Sequence, residues 1–346
     1  MSNRVWVEID TKAIEHNYEV IKQKAGNAKI CCVVKDNAYG HGADKLSLIY
    51  EKLGASYFAV SNIDEAIALR NNGIKTPILI LGYTNVEDAY LLNKYGISQC
   101  VYSLIYAKHL NEKNVKIKCH LKVDTGMNRL GFKDIQKMKQ AYNLDNLLFE
   151  GIFTHFAYSE NEESTRTQFK IFDNAIKELE KDNITFKIRH CANSASIFRY
   201  PEYNLDMVRP GIILYGLGGY PELKQALTMH SIISHIKYIE KGETVGYNRT
   251  FVADKRIKVA TIPVGYGDGF LRVNKDKNTI SINGKKARIL GNICMDQMMV
   301  DVSDIDVNLL DEVIIYDDLE EYARNINTIS YELICSINHR VPIIYK

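Results

Sequence analysis

The residues able to do covalent chemistry gather in a few short, glycine-punctuated stretches. Lys35 follows the apolar run 30–34 and opens the turn Lys35-Asp36-Asn37-Ala38-Tyr39-Gly40-His41-Gly42. A run of that length reads as a buried strand, and the glycines read as the loop that leaves it. Burial disfavours the charged form of an amine, and a neutral amine is a nucleophile that forms a Schiff base with a carbonyl. Most lysines before a turn are plain surface residues, so Lys35 gains weight only from its company. That company stands at the ends of other apolar runs. Lys122 and Arg129 lie in 121–131, His155 ends 148–155, His190, Asn193 and Ser194 lie in 186–194, and Arg209, Gly211 and Ile212 lie in 207–213. One such histidine is usually a satisfied structural group. A whole set at corresponding strand ends points to a site.

The elements that must hold this set are legible as a pattern. Strand-like segments at 30–34, 57–61, 77–81, 99–103, 116–123, 148–155, 186–191 and 208–215 alternate with amphipathic stretches such as 63–71 and 163–181. Alternation implies a parallel sheet, and eight units over roughly 200 residues fit a (β/α)8 barrel, whose functional residues sit at the C-terminal strand ends. Residues 11–24 read as a preceding helix capped by Asp10 or Thr11. After Gly216-Leu217-Gly218-Gly219-Tyr220-Pro221 the texture changes. Segments 228–239, 258–263, 279–282, 287–289, 298–302 and 313–316 read as β, Asn283-Gly284 as a hairpin turn, and only 329–337 as helix. The expected fold class is therefore α/β: an N-terminal (β/α)8 barrel over 10–221, then a C-terminal mainly-β domain over 222–346, joined by the N-terminal strand 1–9.

Composition narrows the functions. Lys+Arg 44 against Asp+Glu 42 leaves no basic footprint for nucleic acid. No stretch approaches the ~20 apolar residues that span a membrane, and the N-terminus lacks a signal-peptide core, so the expected location is the cytoplasm. Seven scattered cysteines and nine histidines without ligand spacing suggest buried thiols and no metal. Neither a Walker A loop nor a dinucleotide fingerprint occurs.

The stretch Val33-Val34-Lys35-Asp36-Asn37-Ala38-Tyr39-Gly40-His41-Gly42 resembles the cofactor-lysine motif of the alanine racemases, departing from it only at Asp36, where the family has alanine. These are barrel-fold amino-acid racemases dependent on pyridoxal 5'-phosphate (PLP). The segments around Met127-Asn128-Arg129, Phe153-Thr154-His155, Val208-Arg209-Pro210-Gly211, Gly246-Tyr247-Asn248, Val264-Gly265-Tyr266-Gly267-Asp268 and Cys294-Met295-Asp296 resemble further motifs of that family. The likeness implies an isomerase that interconverts L- and D-alanine by proton transfer at Cα between two bases. Lys35 would carry PLP and serve the D-isomer, and Tyr247 would serve the L-isomer. Tyr39, Ser194, Gly211 and Ile212 would bind the phosphate. Arg209 would face the pyridine nitrogen, with His155 beside it in a polar network, and His155, His190 and Asn193 would count among the cofactor-binding residues. Arg129, Met295, Tyr266 and His339 would meet the substrate. Tyr247, Tyr266 and Met295 would come from the second subunit of a homodimer with shared sites. Lys122 matches a lysine that many members carbamylate; an ion pair with Asp124 is the other reading.

His339 stands where the family often has tyrosine, a departure shared with serine racemases of the vancomycin-resistance type. Serine, or both alanine and serine, is thus an alternative substrate. A barrel-fold PLP-dependent decarboxylase would set an acid where Arg209 stands, and a non-catalytic PLP carrier would lack the second domain. An aldolase-type lysine without PLP leaves the phosphate-site likeness unexplained.

Overall fold

The computed structural model describes residues 4–346. The first three positions of the expected strand 1–9 therefore lie outside the described residues. The chain forms two compact units. One comprises Asn17–Ala38 and Gly42–Leu214; the other comprises the N-terminal residues through His16, Tyr39–His41 and Tyr215–Lys346.

In chain order the elements run β1 (Val5–Ile9), α1 (Thr11–Ala25), β2 (Lys29–Val33), α2 (Ala43–Leu53), β3 (Tyr57–Val60), α3 (Ile63–Asn71), β4 (Ile78–Ile80), α4 (Ala89–Lys94), β5 (Ile97–Val101), α5 (Leu104–Asn111), β6 (Ile117–Lys122), α6 (Ile135–Tyr142), β7 (Leu147–Phe153), α7 (Glu162–Glu180), β8 (Ile188–His190), α8 (Ser194–Arg199) and β9 (Met207–Val208). Strands β2 to β9 form one parallel sheet in the order β8-β7-β6-β5-β4-β3-β2-β9. The remaining seam is bridged by backbone hydrogen bonds, since Arg209 N donates to Ala192 O at 3.0 Å and Asp206 N to Arg189 O at 3.1 Å. The result is a nearly closed eight-stranded barrel. Its strands are buried on both faces, as helix-covered parallel strands must be; Cys31 and Cys32, adjacent in β2, are both fully buried.

The helices follow from their caps and stripes. Asp10 Oδ1 accepts from Lys12 N and Ala13 N, so Asp10 starts α1. Asn161 caps α7, which buries Thr165, Gln168, Phe172, Ala175, Ile176 and Leu179 along one face.

The second unit carries a nine-stranded sheet. Its further strands are β10 (Leu227–Ile232), β11 (His235–Ile239), β12 (Thr244–Val245), β13 (Phe251–Val252), β14 (Ile257–Ile262), β15 (Thr279–Ile282), β16 (Lys285–Leu290), β17 (Met298–Asp301), β18 (Glu312–Tyr316) and β19 (Ile343–Tyr345), with helices α9 (Leu319–Asn325) and α10 (Ser330–Cys335). The order is β11-β14-β17-β16-β15-β18-β10-β1-β19, while β12 and β13 pair separately. The N-terminal β1 runs antiparallel to β10 and parallel to β19. Gly216, near the start of this part of the chain, has φ +78°, and a Cβ there would lie 1.7 Å from Lys224 O, so only glycine fits.

Three expectations need correction. The segment 208–215 is not one strand: β9 is two residues, and Ile212–Tyr215 is a 3-10 turn. Pro210 has no N–H to give a ladder, and the chain turns at Gly211. The segment 228–239 is broken between β10 and β11; the first pairs with β1 and β18, the second with β14. The helix α9 was not expected. Its signal is present in the sequence, because Asp318 accepts from Glu321 N as its cap, and Leu319, Tyr322 and Ala323 share the buried face. Among the described residues no helix is long and apolar enough to cross a membrane.

Candidate active site

Within the barrel unit the chemistry-bearing side chains stand just beyond neighbouring strands. Lys35 comes two residues after β2, and Arg209 directly follows β9. These strands pair with Ile30 opposite Val208, and Val33 N donates to Pro210 O at 2.9 Å. The lysine and arginine thus leave the same end of the barrel side by side. Lys35 is half-buried, not fully enclosed.

The backbone after Lys35 is unusual. Asp36, Asn37, Ala38 and Tyr39 all have φ between 51° and 55°, a full left-handed turn without glycine. Each such residue costs roughly 1–2 kcal/mol relative to the right-handed form. Asp and Asn tolerate this region better than other side chains, which gives a physical reason for Asp36 where the family motif has alanine. The turn is held by specific bonds. Asp36 N donates to Glu65 Oε1 at 2.7 Å, while Glu65 Oε2 takes Ser61 N and Ser61 Oγ. Ala38 N donates to Val34 O, and Asn37 Oδ1 accepts from Ala43 N to start α2. Tyr39, at the end of the turn, packs its ring on Tyr215 and Tyr331 at 5.2 and 5.8 Å.

Arg209 is 3% exposed and faces no carboxylate among the described residues. Its Nη1 lies 2.8 Å from His190 Nδ1, and its Nη2 donates to Thr154 O at 2.7 Å and Cys191 O at 3.2 Å. His155 Nδ1 is 3.4 Å from Nη2, a longer and weaker contact. The guanidinium lies over the Phe153 ring at 5.3 Å, which His190 stacks at 4.7 Å. A guanidinium only donates, so His190 Nδ1 must be bare. Burial, then the nearby Arg209 charge, holds the His190 pKa well below its ordinary value. His120, on β6, accepts the chain onward: its Nδ1 is 2.8 Å from His190 Nε2. Burial first and Arg209 second push its pKa down to about 3.

These two imidazoles make a stability prediction. Their folded pKa values lie below the unfolded ~6.5. As the pH falls below that value the unfolded chain takes up protons that the folded barrel refuses, so stability is lost. Each group contributes roughly 1.4 kcal/mol per pH unit in that window. Urea unfolding at pH 7, 6 and 5 should show the decline, and a flat profile contradicts it.

Lys122 is 5% exposed, with Nζ 5.6 Å over the Phe153 ring. Desolvation, aided by repulsion from Arg129 and Arg209, lowers its pKa. The ion pair with Asp124, one of the two readings of Lys122, is not made. Asp124 instead turns into its own loop, accepting from Gly126 N and Asn128 N and meeting Lys133 Nζ at 3.7 Å. This clasp shapes the loop 124–131, which presents an exposed Arg129. At the far end of that loop Gly131 has φ +138°, and a Cβ there would lie 2.5 Å from Asp124 N.

Asn193 caps α8, exchanging hydrogen bonds with Ser196 in a capping box. Its observed work is structural. Ser194 Oγ accepts from Gly211 N at 2.9 Å and keeps a proton to donate. Ile212 is buried.

In the second unit Tyr247 is 70% exposed and Met295 54%. Tyr247 sits on a turn whose next two residues, Asn248 and Arg249, also have positive φ, and its carbonyl accepts from Asn292 Nδ2 at 2.9 Å. Tyr266 N donates to Cys294 O and Gly267 N to Met295 O, so the Tyr266 and Met295 loops are stitched together. His339 is exposed. Sequence reasoning missed the anchor beneath these loops. Asp268 is fully buried and binds Arg4 at 2.5 Å and Arg340 at 2.8 Å, while Arg340 also reaches Asp296 at 2.5 Å. Asp268→Asn should cost roughly 2–3 kcal/mol, because the three charge-assisted bonds from two arginines lose their charge at a buried acceptor while the half-exposed arginines partly rehydrate. Thermal unfolding measures it; a melting temperature within 2 °C or so of wild type contradicts the anchor.

A barrel of eight parallel strands with its chemistry at their C-terminal ends, followed by a mainly-β domain, is the architecture of a barrel-fold enzyme. The model of the alanine racemase N-terminal domain matches residues 9–219 and that of the alanine racemase C-terminal domain matches 226–345. The chain is 39% identical to an alanine racemase of Desulforamulus reducens over 370 residues, covering 100% of both. It is 41% identical to alanine racemase 1 of Clostridium acetobutylicum, covering 99% of this chain and 95% of that one. A solved alanine racemase of Clostridium difficile 630 superposes with TM-score 0.95 at 36% identity, over 100% of this chain and 96% of the other. One from Bacillus anthracis with bound L-Ala-P gives TM-score 0.95 at 31% identity over the same shares. The chain belongs to the alanine racemase family.

Proposed function

We propose that this chain is an alanine racemase: an isomerase that uses PLP and two bases on opposite faces of Cα to interconvert L- and D-alanine. The observation that carries the reading is Arg209, buried without a carboxylate beside the strand that leads to Lys35. The residues present suit PLP. Lys35 offers an amine for its aldehyde. Ser194 Oγ and the Gly211 backbone offer a phosphate cradle, with Tyr39 and Ile212 on the neighbouring segments. Arg209 offers a donor for the ring nitrogen. When bound, PLP withdraws electron density from Cα and makes its proton removable.

The protein's part is positioning and proton handling. Arg209, pinned by His190 and Thr154 O, can only donate, so a ring nitrogen opposite it stays unprotonated. An acid there would suit a decarboxylase; Arg209 counts against one. Lys35 holds the proton on one face. Tyr247 holds it on the other, supplied by a second subunit, with Tyr266, Met295 and His339 bordering the substrate. The exposure of Tyr247 and Met295 supports that sharing, because large apolar side chains left open mark contact surfaces. Arg129 meets the substrate carboxylate. Lys122 steadies Arg129 as a carbamate, formed when its neutral Nζ adds carbon dioxide and loses a proton; the lowered pKa and the missing Asp124 pair favour this. The division of labour runs between a cofactor barrel over 10–221 and a mainly-β domain over 222–346 with the N-terminal strand. Five of the seven cysteines are buried thiols, which suits a cytoplasmic location.

Chiral analysis of products from PLP-loaded protein tests the reading. L-alanine should yield D-alanine up to an equimolar mixture, and L-serine should react more slowly. Loss of carbon dioxide instead of inversion, or no inversion of alanine, overturns it.

A further inference from the structure

The arginine–histidine contact continues one step deeper than cofactor binding requires. His120 is fully buried on β6, two residues before Lys122 on the same inward face. Its Nδ1 lies 2.8 Å from His190 Nε2, and its own Nε2 has no hydrogen-bond partner among the described residues. The position is built for a ring. A Cβ on Gly151 of β7 would come within 2.4 Å of His120 Nδ1, so only glycine leaves room. The β6–β7 register shifts between Cys119 and His120, which sets the ring against that gap. Tyr57 meets it edge-on at 5.8 Å.

The hydrogen bonds have one solution for neutral rings. Arg209 Nη1 donates to His190 Nδ1, so the His190 proton sits on Nε2. That N–H needs an acceptor, and the atom it meets is His120 Nδ1, which must also be bare. The His120 proton is then on Nε2, where nothing accepts it. A buried donor left open is unfavourable, so the arrangement is explained by what it imposes on His190 and not by its own stability. With an apolar residue at 120, His190 Nε2–H would be orphaned. The ring would then gain by moving its proton to Nδ1 and turning away from Arg209.

We propose that His120 is a positioning residue, which fixes the tautomer of His190 and thereby the orientation of the Arg209 guanidinium. This rests on the reading of Arg209 as the partner of the cofactor ring nitrogen.

The test compares His120→Leu, which removes the acceptor, with His120→Asn, whose Oδ1 stands in for Nδ1. The first readout is the nitrogen NMR spectrum of full-length protein labelled with [15N]histidine, which needs no turnover. Wild type should show His190 and His120 neutral, both protonated on Nε2, from pH 6 to 8. His120→Asn should keep the His190 pattern, and His120→Leu should lose it. The second readout is kinetic: kcat for alanine should fall about tenfold or more in His120→Leu, KM should change less than about threefold, and His120→Asn should restore most of the loss. Finding His190 protonated on Nδ1 in wild type overturns the proposal with no variant needed, even if His120→Leu does not fold. Equal losses in both variants overturn it as well, since they would mean packing alone. Wild type without racemase activity refutes the racemase reading instead, and the NMR arm still decides the role of His120.

Discussion

Lys35→Ala should abolish racemisation in both directions. The lysine has two jobs in the proposed reaction, to hold the cofactor covalently and to exchange the proton on one face of Cα. Removing a general base alone typically costs about 10²–10⁴-fold, and losing the attachment adds to that, so activity should fall by ~10⁴-fold or more. Folding should survive, because the Lys35 side chain is only half-buried and the turn after it is held by Glu65, Ser61 and Asn37. Borohydride reduction of the wild-type holoenzyme and peptide mapping should find the pyridoxyl group on Lys35. The adduct on another lysine, or activity in Lys35→Ala within tenfold of wild type, refutes the assignment.

Much of this arrangement was legible in the sequence, for local reasons. The stretch 63–71 reads as a helix because its cap and stripe lie within nine residues, and α3 spans the same positions. Asn283-Gly284 reads as a hairpin turn because both residues accept positive φ, and both have it, at 50° and 75°. The strand ends around Lys35 and His190 read correctly because apolar runs stop where polar residues begin, whereas the strand read over 208–215 runs past Arg209 and the observed strand stops just before it. What escaped depends on distance along the chain. His120 gains meaning only from His190, seventy residues away, and from a register shift that pattern counting does not register. Asp268 gains meaning from Arg4, 264 residues away. Phe153 looked like one more apolar strand residue until its face met two cations and an imidazole. The left-handed turn at 36–39 was hidden for another reason: Ala38 and Tyr39 carry no sequence mark of positive φ, and tertiary bonds impose it.

Tyr247→Phe should cut racemisation of L- and D-alanine alike, by about 10²–10⁴-fold, with PLP binding retained. Both directions suffer, because the forward and reverse reactions share the same transition states and one missing base slows each. Folding should be untouched, since the side chain is 70% exposed and its backbone carbonyl, not its hydroxyl, holds Asn292. Mixing the variant with Lys35→Ala decides which subunit supplies the tyrosine. In a mixed dimer with shared sites, one site gathers both defects and the other gathers neither. Random exchange makes half the dimers mixed, so activity should recover to roughly a quarter of the wild-type value. Each pure variant stays near zero. If the tyrosine instead served the Lys35 of its own chain, every site in every dimer would carry one defect and no mixture would recover. Native mass spectrometry of differently tagged chains shows whether exchange took place, so absence of recovery with mixed dimers present rules out the shared site.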